Sequence, residues 1–252
     1  MPRLSTLLFD VDGTLAETEE IHRQSFNKAF SQAGLDWEWS PDTYRDLLAV
    51  TGGKERIRHY IERFVPGFEP PMNLDEYIAG LHAAKTDIYT RTVESGEVPL
   101  RPGVKRLLDE ARQAGLRLGI ATTTTPSNVT ALLQSSLAPD ALDWFDVIAA
   151  GGVVPAKKPA PDIYHHAMQV MGVSPQECLA FEDSENGLRA ALDAGLKTLV
   201  TVSDYTGGQD FRGAALVVDQ LGEPDAPARV LAGELSGYGY ISVDALQALF
   251  DG

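Results

Sequence analysis

Two pairs of carboxylates stand directly after apolar runs that are typical of buried strands. Asp10 and Asp12 follow one such run near the start of the sequence, and Glu182 and Asp183 follow another. Carboxylates this close together repel each other unless a cation lies near them, and Mg²⁺ prefers carboxylate, carbonyl and water oxygens. Gly13 lets the backbone leave the first run sharply. Although Asp-Gly segments are also common in surface turns, a position directly after a buried strand favours a functional site.

Two further polar segments could bind a phosphate group. Thr122 and Thr123 begin a run of four threonines after the apolar residues 116–121, and hydroxyl and backbone N–H groups at such a place can hold phosphate oxygens. Lys158 precedes Pro159, and a lysine fixed in that loop could neutralise the charge of a transferring phosphoryl group. Alone, each segment is also consistent with a helix cap or a solvated loop charge. The order of acid pair, hydroxyl, lysine and acid pair along the chain is what indicates a shared site.

A parallel sheet would bring these residues together. Short apolar runs alternate with helix-like stretches, which predicts an α/β fold with a Rossmann-like parallel sheet covered on both faces. Ligands gather at the carboxyl ends of the strands in such a sheet. The predicted strands are residues 4–9, 116–121, 146–149, 178–181, 197–202 and 215–218, and the predicted core helices are residues 104–114, 163–171, 184–194 and 243–250.

One region breaks this alternation, because its pattern is helical and contains no convincing strand. Its helix-like stretches are residues 21–33, 41–48, 54–64 and 74–91. We therefore predict an inserted α-helical cap domain over residues 16–95. The catalytic core would consist of residues 1–15 and 96–252, joined to the cap by linkers near Ala16 and Ser95.

Composition narrows the class of partner. The 252 residues carry a formal net charge of −15, and no cluster of Lys and Arg offers the basic face that nucleic-acid binding needs. No apolar stretch approaches the roughly 18–20 residues of a membrane-spanning helix. An acidic protein binds an anionic substrate only where local cations or a metal reverse the field. We expect the protein to be a monomer. We also expect it in the cytoplasm, since no room for a targeting segment precedes Asp10.

The four polar segments resemble the four motifs of the haloacid-dehalogenase superfamily over essentially the whole chain. The resemblance implies that Asp10 is the nucleophile that attacks phosphorus. It implies that Asp12 protonates the leaving oxygen and then activates water. Thr122 would bind the phosphoryl group, and Lys158 would steady its charge.

The same resemblance implies a Mg²⁺ cofactor. Asp10, Asp183 and the carbonyl of Asp12 would bind the ion, with Glu182 as an outer or direct partner. The fourth motif of the family often contains a later Asp, whereas here Glu182-Asp183 is followed by Asn186-Gly187. The composition of the metal shell therefore stays open.

The position of the helical insert resembles that of the cap in the phosphoglycolate phosphatase and β-phosphoglucomutase group. The segments Ala-Glu-Thr-Glu-Glu-Ile-His at 16–22, Thr-Gly-Gly-Lys-Glu-Arg at 51–56 and His-Ala-Ala-Lys-Thr at 82–86 are similar to CbbY-type phosphatases. That subfamily is linked to the Calvin cycle and removes one phosphate from xylulose 1,5-bisphosphate. The resemblance implies a small phosphorylated sugar as the substrate.

The cap also contains residues that could bind a second anionic group. His82 and Lys85 are three positions apart, so a helix presents them on one face, and Lys54 follows two glycines that let the backbone approach a ligand closely. Each charge alone could be a solvated helix charge, and His22 or Tyr44 could simply pack. The candidate substrate-binding residues are Glu17, His22, Tyr44, Gly52, Gly53, Lys54, Arg56, His82, Lys85 and Thr123.

Two other functions remain open. A phosphomutase of the β-phosphoglucomutase type would share every core residue, but would transfer the phosphoryl group to a sugar hydroxyl instead of water. A non-catalytic sugar-phosphate-binding regulator would be expected to lose its nucleophile, and Asp10 is present. Dehalogenases and phosphonate hydrolases of the superfamily do without an acid at the position of Asp12, so both are disfavoured.

Overall fold

The computed structural model describes residues 3–96 and 98–252. Its strands form one sheet whose order is the third, second, first, fourth, fifth, sixth and seventh. The first six strands are all parallel to one another, and only the seventh runs antiparallel, beside the sixth. They are β1 (Thr6–Phe9), β2 (Arg117–Thr122), β3 (Val147–Ala150), β4 (Cys178–Glu182), β5 (Lys197–Thr201), β6 (Leu216–Val218) and β7 (Val230–Gly233). The predicted α/β fold with a parallel core sheet is confirmed.

Nine α-helices occur in the described part of the chain. They are α1 (Glu19–Gln32), α2 (Pro41–Leu47), α3 (Gly53–Phe64), α4 (Leu74–Glu94), α5 (Val104–Gln113), α6 (Pro126–Leu132), α7 (Asp162–Met171), α8 (Glu185–Asp193) and α9 (Val243–Asp251). Helix α6 runs on into a π-helical turn at Leu133–Leu137. Every predicted strand and helix has its counterpart, whereas α6 and β7 were not predicted. None of the described helices is both long and apolar enough to cross a membrane.

The sheet is buried on both faces, as parallel sheets are. Side chains alternate along a strand, so Leu7 and Phe9 pack in one cluster with residues of α5, α6 and α9. Leu8 points to the opposite face, where it packs with Ile163 of α7 and Ala190 of α8. All four residues of β1 are buried, which fixes the strand that ends directly before Asp10.

Helices α1–α4 form the cap and have an apolar cluster of their own. Its centre is aromatic: Phe26 packs against Trp39 at a tilt of 41° with ring centroids 4.6 Å apart, and Phe30 meets Trp39 edge-on at 5.0 Å. Offset and edge-to-face aromatic contacts stabilise a cluster beyond the area that they bury. The proposed domain division at residues 15/16 and 95/96 stays a prediction.

The two connections between cap and core lie side by side. Ala16 pairs with Leu100 in an antiparallel bridge, and the Arg101 backbone N–H donates to Leu15 O at 2.9 Å. The buried Arg101 guanidinium donates to carbonyls at the ends of β1, β5 and β6, which belong to Gly13, Thr201, Val202 and Asp219. The linkers are therefore bonded to each other and to the carboxyl edge of the sheet.

Candidate active site

The predicted core residues converge at the carboxyl edge of the sheet. Strand β1 lies between β2 and β4, so Asp10, Thr122 and Asp183 come together at one edge. The Asp10 N–H donates to Phe181 O at 3.0 Å, which ties the end of β1 to β4. These residues line a cavity of about 340 Å³ between the sheet and the cap. The sequence-based expectation that the four segments share a site agrees with this arrangement.

Lys158 connects the two acidic pairs. Its Nζ donates to Asp10 Oδ1 and to Glu182 Oε1, both at 2.6 Å, and the Tyr164 hydroxyl donates to the same Glu182 oxygen. Burial opposes the charge of Lys158, but the carboxylates of Asp10 and Glu182 outweigh it and raise the pKa of the lysine. Lys158 is therefore a fixed cation beside the predicted nucleophile.

One lysine does not balance the charge of this cluster. Asp10, Glu182 and Asp183 each offer an oxygen, and these atoms all lie within 4.8 Å of one another. Burial raises the pKa of Asp10 to about 7 against the opposing effect of Lys158. Burial and the negative charges of Asp10 and Glu182 raise the pKa of Asp183 well above its usual value. A buried group of three carboxylates in which Asp10 and Asp183 have raised pKa values is a site that a divalent cation stabilises.

The side chains around the carboxylates leave acceptor atoms for such an ion. Glu182 Oε2 is buried and has no hydrogen-bond partner in the described structure, which normally costs free energy. Gly187, in the first turn of α8, makes room for this carboxylate, because a Cβ there would overlap it. Ser203 Oγ donates to Asp183 Oδ2 at 3.0 Å and orients it. The donor set of buried carboxylate oxygens is one that fits Mg²⁺.

Asp12 lies within the same cavity but contacts the cap. Thr18 Oγ1 donates to Asp12 Oδ1 at 2.5 Å, and His22 Nε2 lies 3.0 Å from the same oxygen. Lys85 Nζ lies 2.5 Å from His22 Nδ1. Because the ionised Asp12 carboxylate can only accept, Nε2 carries the ring proton and donates to it. Burial would raise the pKa of Asp12, but His22, Thr18 and Lys85 together hold it far below its usual value.

Two predicted substrate-binding residues, His22 and Lys85, also belong to this series of contacts. His22 and Lys85 both line the cavity, yet each is also part of the hydrogen-bonded series that ends at Asp12. The His22 ring stacks on Tyr89, with centroids 4.1 Å apart and an interplanar angle of 10°. Burial lowers the pKa of Lys85 to about 7. Their side chains are therefore positioned to orient Asp12 as well as to face a substrate.

The remaining predicted substrate-binding residues divide into two groups. Glu17 and Tyr44 are not among the described residues that line the cavity. Glu17 lies 3.2 Å from Arg101, and the buried Tyr44 hydroxyl donates to Glu19 at 2.7 Å and accepts from Arg56 at 2.8 Å. Their contact with a substrate stays a prediction that this geometry does not support. The cavity is lined by Gly52, Gly53, Lys54, Arg56, His82 and Thr123.

Several residues of the cavity were not predicted. Glu19 lies one helical turn before His22 and could have been found from that spacing, and Lys157 stands next to Lys158. Asn128, which lines the cavity, and Thr18, which donates to Asp12, have no comparable sequence pattern, because their place depends on how α6 and the cap meet the core. Asn186 contacts the cap, since its Nδ2 donates to Thr51 Oγ1 at 3.1 Å.

Comparison with known proteins shows which family and which chains this protein resembles. A model of the haloacid dehalogenase-like hydrolases matches residues 4–195. Protein CbbY of Rhodobacter capsulatus is 53% identical over 84% of this chain and 91% of that protein. A crystal structure of CbbY from Rhodobacter sphaeroides in complex with phosphate is 46% identical, has a TM-score of 0.81 and covers 86% of this chain and 94% of that one. A mutant of the same protein in complex with xylulose-(1,5)bisphosphate gives a TM-score of 0.82 with the same identity and coverage.

Proposed function

The chain belongs to the haloacid dehalogenase-like hydrolases and is a phosphatase, and we propose that it hydrolyses xylulose 1,5-bisphosphate to xylulose 5-phosphate and phosphate. The observation that carries the proposal is the position of Asp10. Its carboxylate lies in the cavity, 2.6 Å from the Lys158 ammonium, where a phosphate group would meet both. The sugar is inferred from the 46% identical structure with xylulose-(1,5)bisphosphate bound. With this substrate the enzyme would act alongside the Calvin cycle.

The proposal includes Mg²⁺ as cofactor. Asp10, Glu182, Asp183 and the backbone carbonyl of Asp12 are the groups that would hold it. When bound, Mg²⁺ offsets the negative charge of the carboxylates and of the phosphate, which would otherwise repel the nucleophile. The unpartnered Glu182 oxygen and the raised pKa of Asp183 support this assignment.

In the first step Asp10 is the nucleophile. A carboxylate oxygen of Asp10 bonds to phosphorus while the bond between phosphorus and the sugar oxygen breaks, which gives an aspartyl-phosphate. Lys158 binds the phosphoryl oxygens together with Thr122 and stabilises the charge that they carry in the transition state. The leaving sugar oxygen takes a proton from Asp12. The negative charge of the bound phosphate raises the pKa of Asp12 from the low value that its cap contacts impose, so that it can carry this proton.

In the second step water replaces Asp10. The ionised Asp12 accepts a proton from water, whose oxygen attacks phosphorus, and the bond between phosphorus and Asp10 breaks to release phosphate. His22 and Thr18 stabilise the ionised form of Asp12 that this step needs. His22 and Thr18 thus favour the ionised Asp12 that hydrolysis of the aspartyl-phosphate needs, while the bound substrate favours the protonated Asp12 that the first step needs.

The cap side of the cavity suits a second phosphate group. Lys54, Arg56 and His82 line it beside the backbone of Gly52 and Gly53, although the whole chain has a net charge of −15. Arg56 is oriented by its hydrogen bond to the Tyr44 hydroxyl. A local group of donors of this kind binds an anion that the rest of the surface would repel.

Phosphate release tests the proposal directly. We would compare xylulose 1,5-bisphosphate, ribulose 1,5-bisphosphate, β-glucose 1-phosphate and phosphoglycolate, each with Mg²⁺, with chelator, and with an Asp10→Asn control. Preference for xylulose 1,5-bisphosphate that is lost in both controls is the expected result. Preference for another substrate would reject the sugar but keep the chemistry, and conversion of β-glucose 1-phosphate to glucose 6-phosphate would favour the phosphomutase. Release that survives Asp10→Asn would overturn the mechanism.

A further inference from the structure

Two charged side chains meet across the opening of the cavity, one from the core and one from the cap. Lys157 Nζ donates to Glu55 Oε1 at 2.7 Å. Glu55 lies in the first turn of α3, and Lys157 lies in the loop before α7, next to Lys158. Both residues line the cavity. The loop that supplies Lys158 to the nucleophile therefore supplies a second lysine to the cap side.

The Lys157–Glu55 pair lies among the donors of the cap. A Cβ on Gly52 would lie 2.5 Å from Lys157 Nζ, so the ammonium rests directly on that glycine. Burial, together with the positive charges of Lys85, Lys54 and Lys157, lowers the pKa of His82 to about 4. The pair thus lines the same cavity as Lys54 and His82, the residues that the proposed function assigns to a second phosphate group.

We propose that Lys157 is a specificity-determining residue, held by Glu55 until the second phosphate group of the substrate replaces Glu55 as its partner. The inference rests on the proposed function, because it requires a substrate with a second phosphate. The side chains are 27% and 46% exposed, and ion pairs of this kind are weak. A phosphate oxygen is a strong acceptor for an ammonium group. The exchange is therefore favourable, and Lys157 then joins core and cap through the substrate.

A neutral contact across the same opening provides a comparison. Asn186 Nδ2 donates to Thr51 Oγ1 at 3.1 Å and to Ala49 O at 3.2 Å. It also joins core to cap, but it has no charge to lose or to exchange. We therefore expect Asn186 to matter equally for substrates with one phosphate or two.

The test is the ratio of kcat/KM for xylulose 1,5-bisphosphate to that for xylulose 1-phosphate. Lys157→Met should lower the value for the bisphosphate at least ~10-fold, mainly through KM, and that for the monophosphate less than ~3-fold. Glu55→Gln removes the competing carboxylate and should raise the ratio about 2- to 5-fold. The double variant should behave like Lys157→Met. Asn186→Ala should lower both values alike, and Lys28→Met, an exposed charge of α1, is the matched control.

The outcomes separate this inference from the proposed function. A wild-type enzyme with no preference for a second phosphate would overturn both. If the wild type prefers a different bisphosphate, the same ratio is measured with that compound and its monophosphate. A preserved preference that Lys157→Met leaves unchanged would overturn the role of Lys157 alone. Equal losses on both substrates in Lys157→Met and Glu55→Gln would show a merely structural ion pair, and circular dichroism confirms that each variant is folded.

Discussion

His22 Nε2 lies 3.0 Å from Asp12 Oδ1 and so joins the first helix of the cap to the carboxylate beside the nucleophile. The ring is held from both sides, since it stacks on Tyr89 and accepts a hydrogen bond from Lys85 at Nδ1. A side chain fixed in this way donates to Asp12 with little loss of conformational freedom. The hydrogen bond favours the ionised form of Asp12.

Replacing His22 should move the acidic limb of the pH profile. His22→Phe keeps an aromatic ring against Tyr89 but removes the donor, so the pKa of Asp12 rises. The acidic limb of kcat against pH then shifts to higher pH, and kcat falls about 10-fold or more because Asp12 is less well oriented. His165→Phe, at an exposed position of α7, serves as control. A profile identical to that of the wild type would show that His22 does not act on Asp12.

Gly187 should not tolerate a methyl group. In Gly187→Ala the new Cβ overlaps the Glu182 carboxylate, which has to leave Lys158 and Tyr164. Overpacking of this kind typically costs about 1–3 kcal/mol, and we expect kcat to fall about 100-fold. Gly80→Ala is the matched control, because that helical position has open space around it and alanine should add about 0.5–1 kcal/mol there. Thermal melting and phosphate release measure the two effects, and a fully active Gly187→Ala would contradict the first.

Removal of one buried carboxylate should separate stability from metal binding. Asp183→Asn relieves repulsion with Asp10 and Glu182, so without metal its melting temperature should equal or exceed that of the wild type. Mg²⁺ at a hundred times its dissociation constant should add about 2.7 kcal/mol to the free energy of unfolding of the wild type. Its melting temperature should therefore rise, whereas that of the variant should not. Asp225→Asn, at an exposed position, should respond like the wild type. A variant that is still stabilised by Mg²⁺ would place the ion elsewhere.

His82 should make the protein less stable in mild acid. Burial and the neighbouring Lys85, Lys54 and Lys157 lower its pKa to about 4, whereas an unfolded histidine has a pKa near 6.5. Between pH 4 and about 6.5, His82 is protonated in the unfolded chain but mostly neutral in the folded chain. The free energy of unfolding therefore falls as the pH drops through this range.

We expect this single residue to contribute on the order of 1–3 kcal/mol to that loss. Urea unfolding at pH 7, 6 and 5 should show a smaller decrease for His82→Gln than for the wild type. His165→Gln, at an exposed site, should follow the wild type. Equal slopes for the wild type and His82→Gln would mean that His82 is protonated as easily in the folded state as in the unfolded state.

The sequence was enough to expect the core residues of the candidate site close together, because topology alone brings them to one edge of the sheet. Asp10, Thr122 and Asp183 follow strands that are neighbours in the sheet, and the carboxyl ends of parallel strands meet at one edge. Their meeting needs no knowledge of side-chain packing. The same holds for Lys158, which stands shortly before α7 on the same edge.

The cap contacts could not be predicted in this way. Whether His22 faces a substrate or Asp12 depends on how α1 sits over the sheet, and no local pattern encodes that angle. Tyr44 and Glu17 illustrate the same limit, because neither is among the described residues that line the cavity and each has an arginine partner instead. Strand β7 was not predicted because its four residues are all exposed and show no alternation.

The bridge between Ala16 and Leu100 has a consequence for how water reaches the site. Because the two linkers are bonded to each other, and Arg101 fixes them to the sheet, a rotation of the cap about them would leave Asp10 in place. The same rotation would carry Thr18 and His22 away from Asp12. Admission of solvent and loss of the two contacts that orient Asp12 would then be one movement, so an open enzyme would hold a poorly oriented base at the moment when stray water is most abundant.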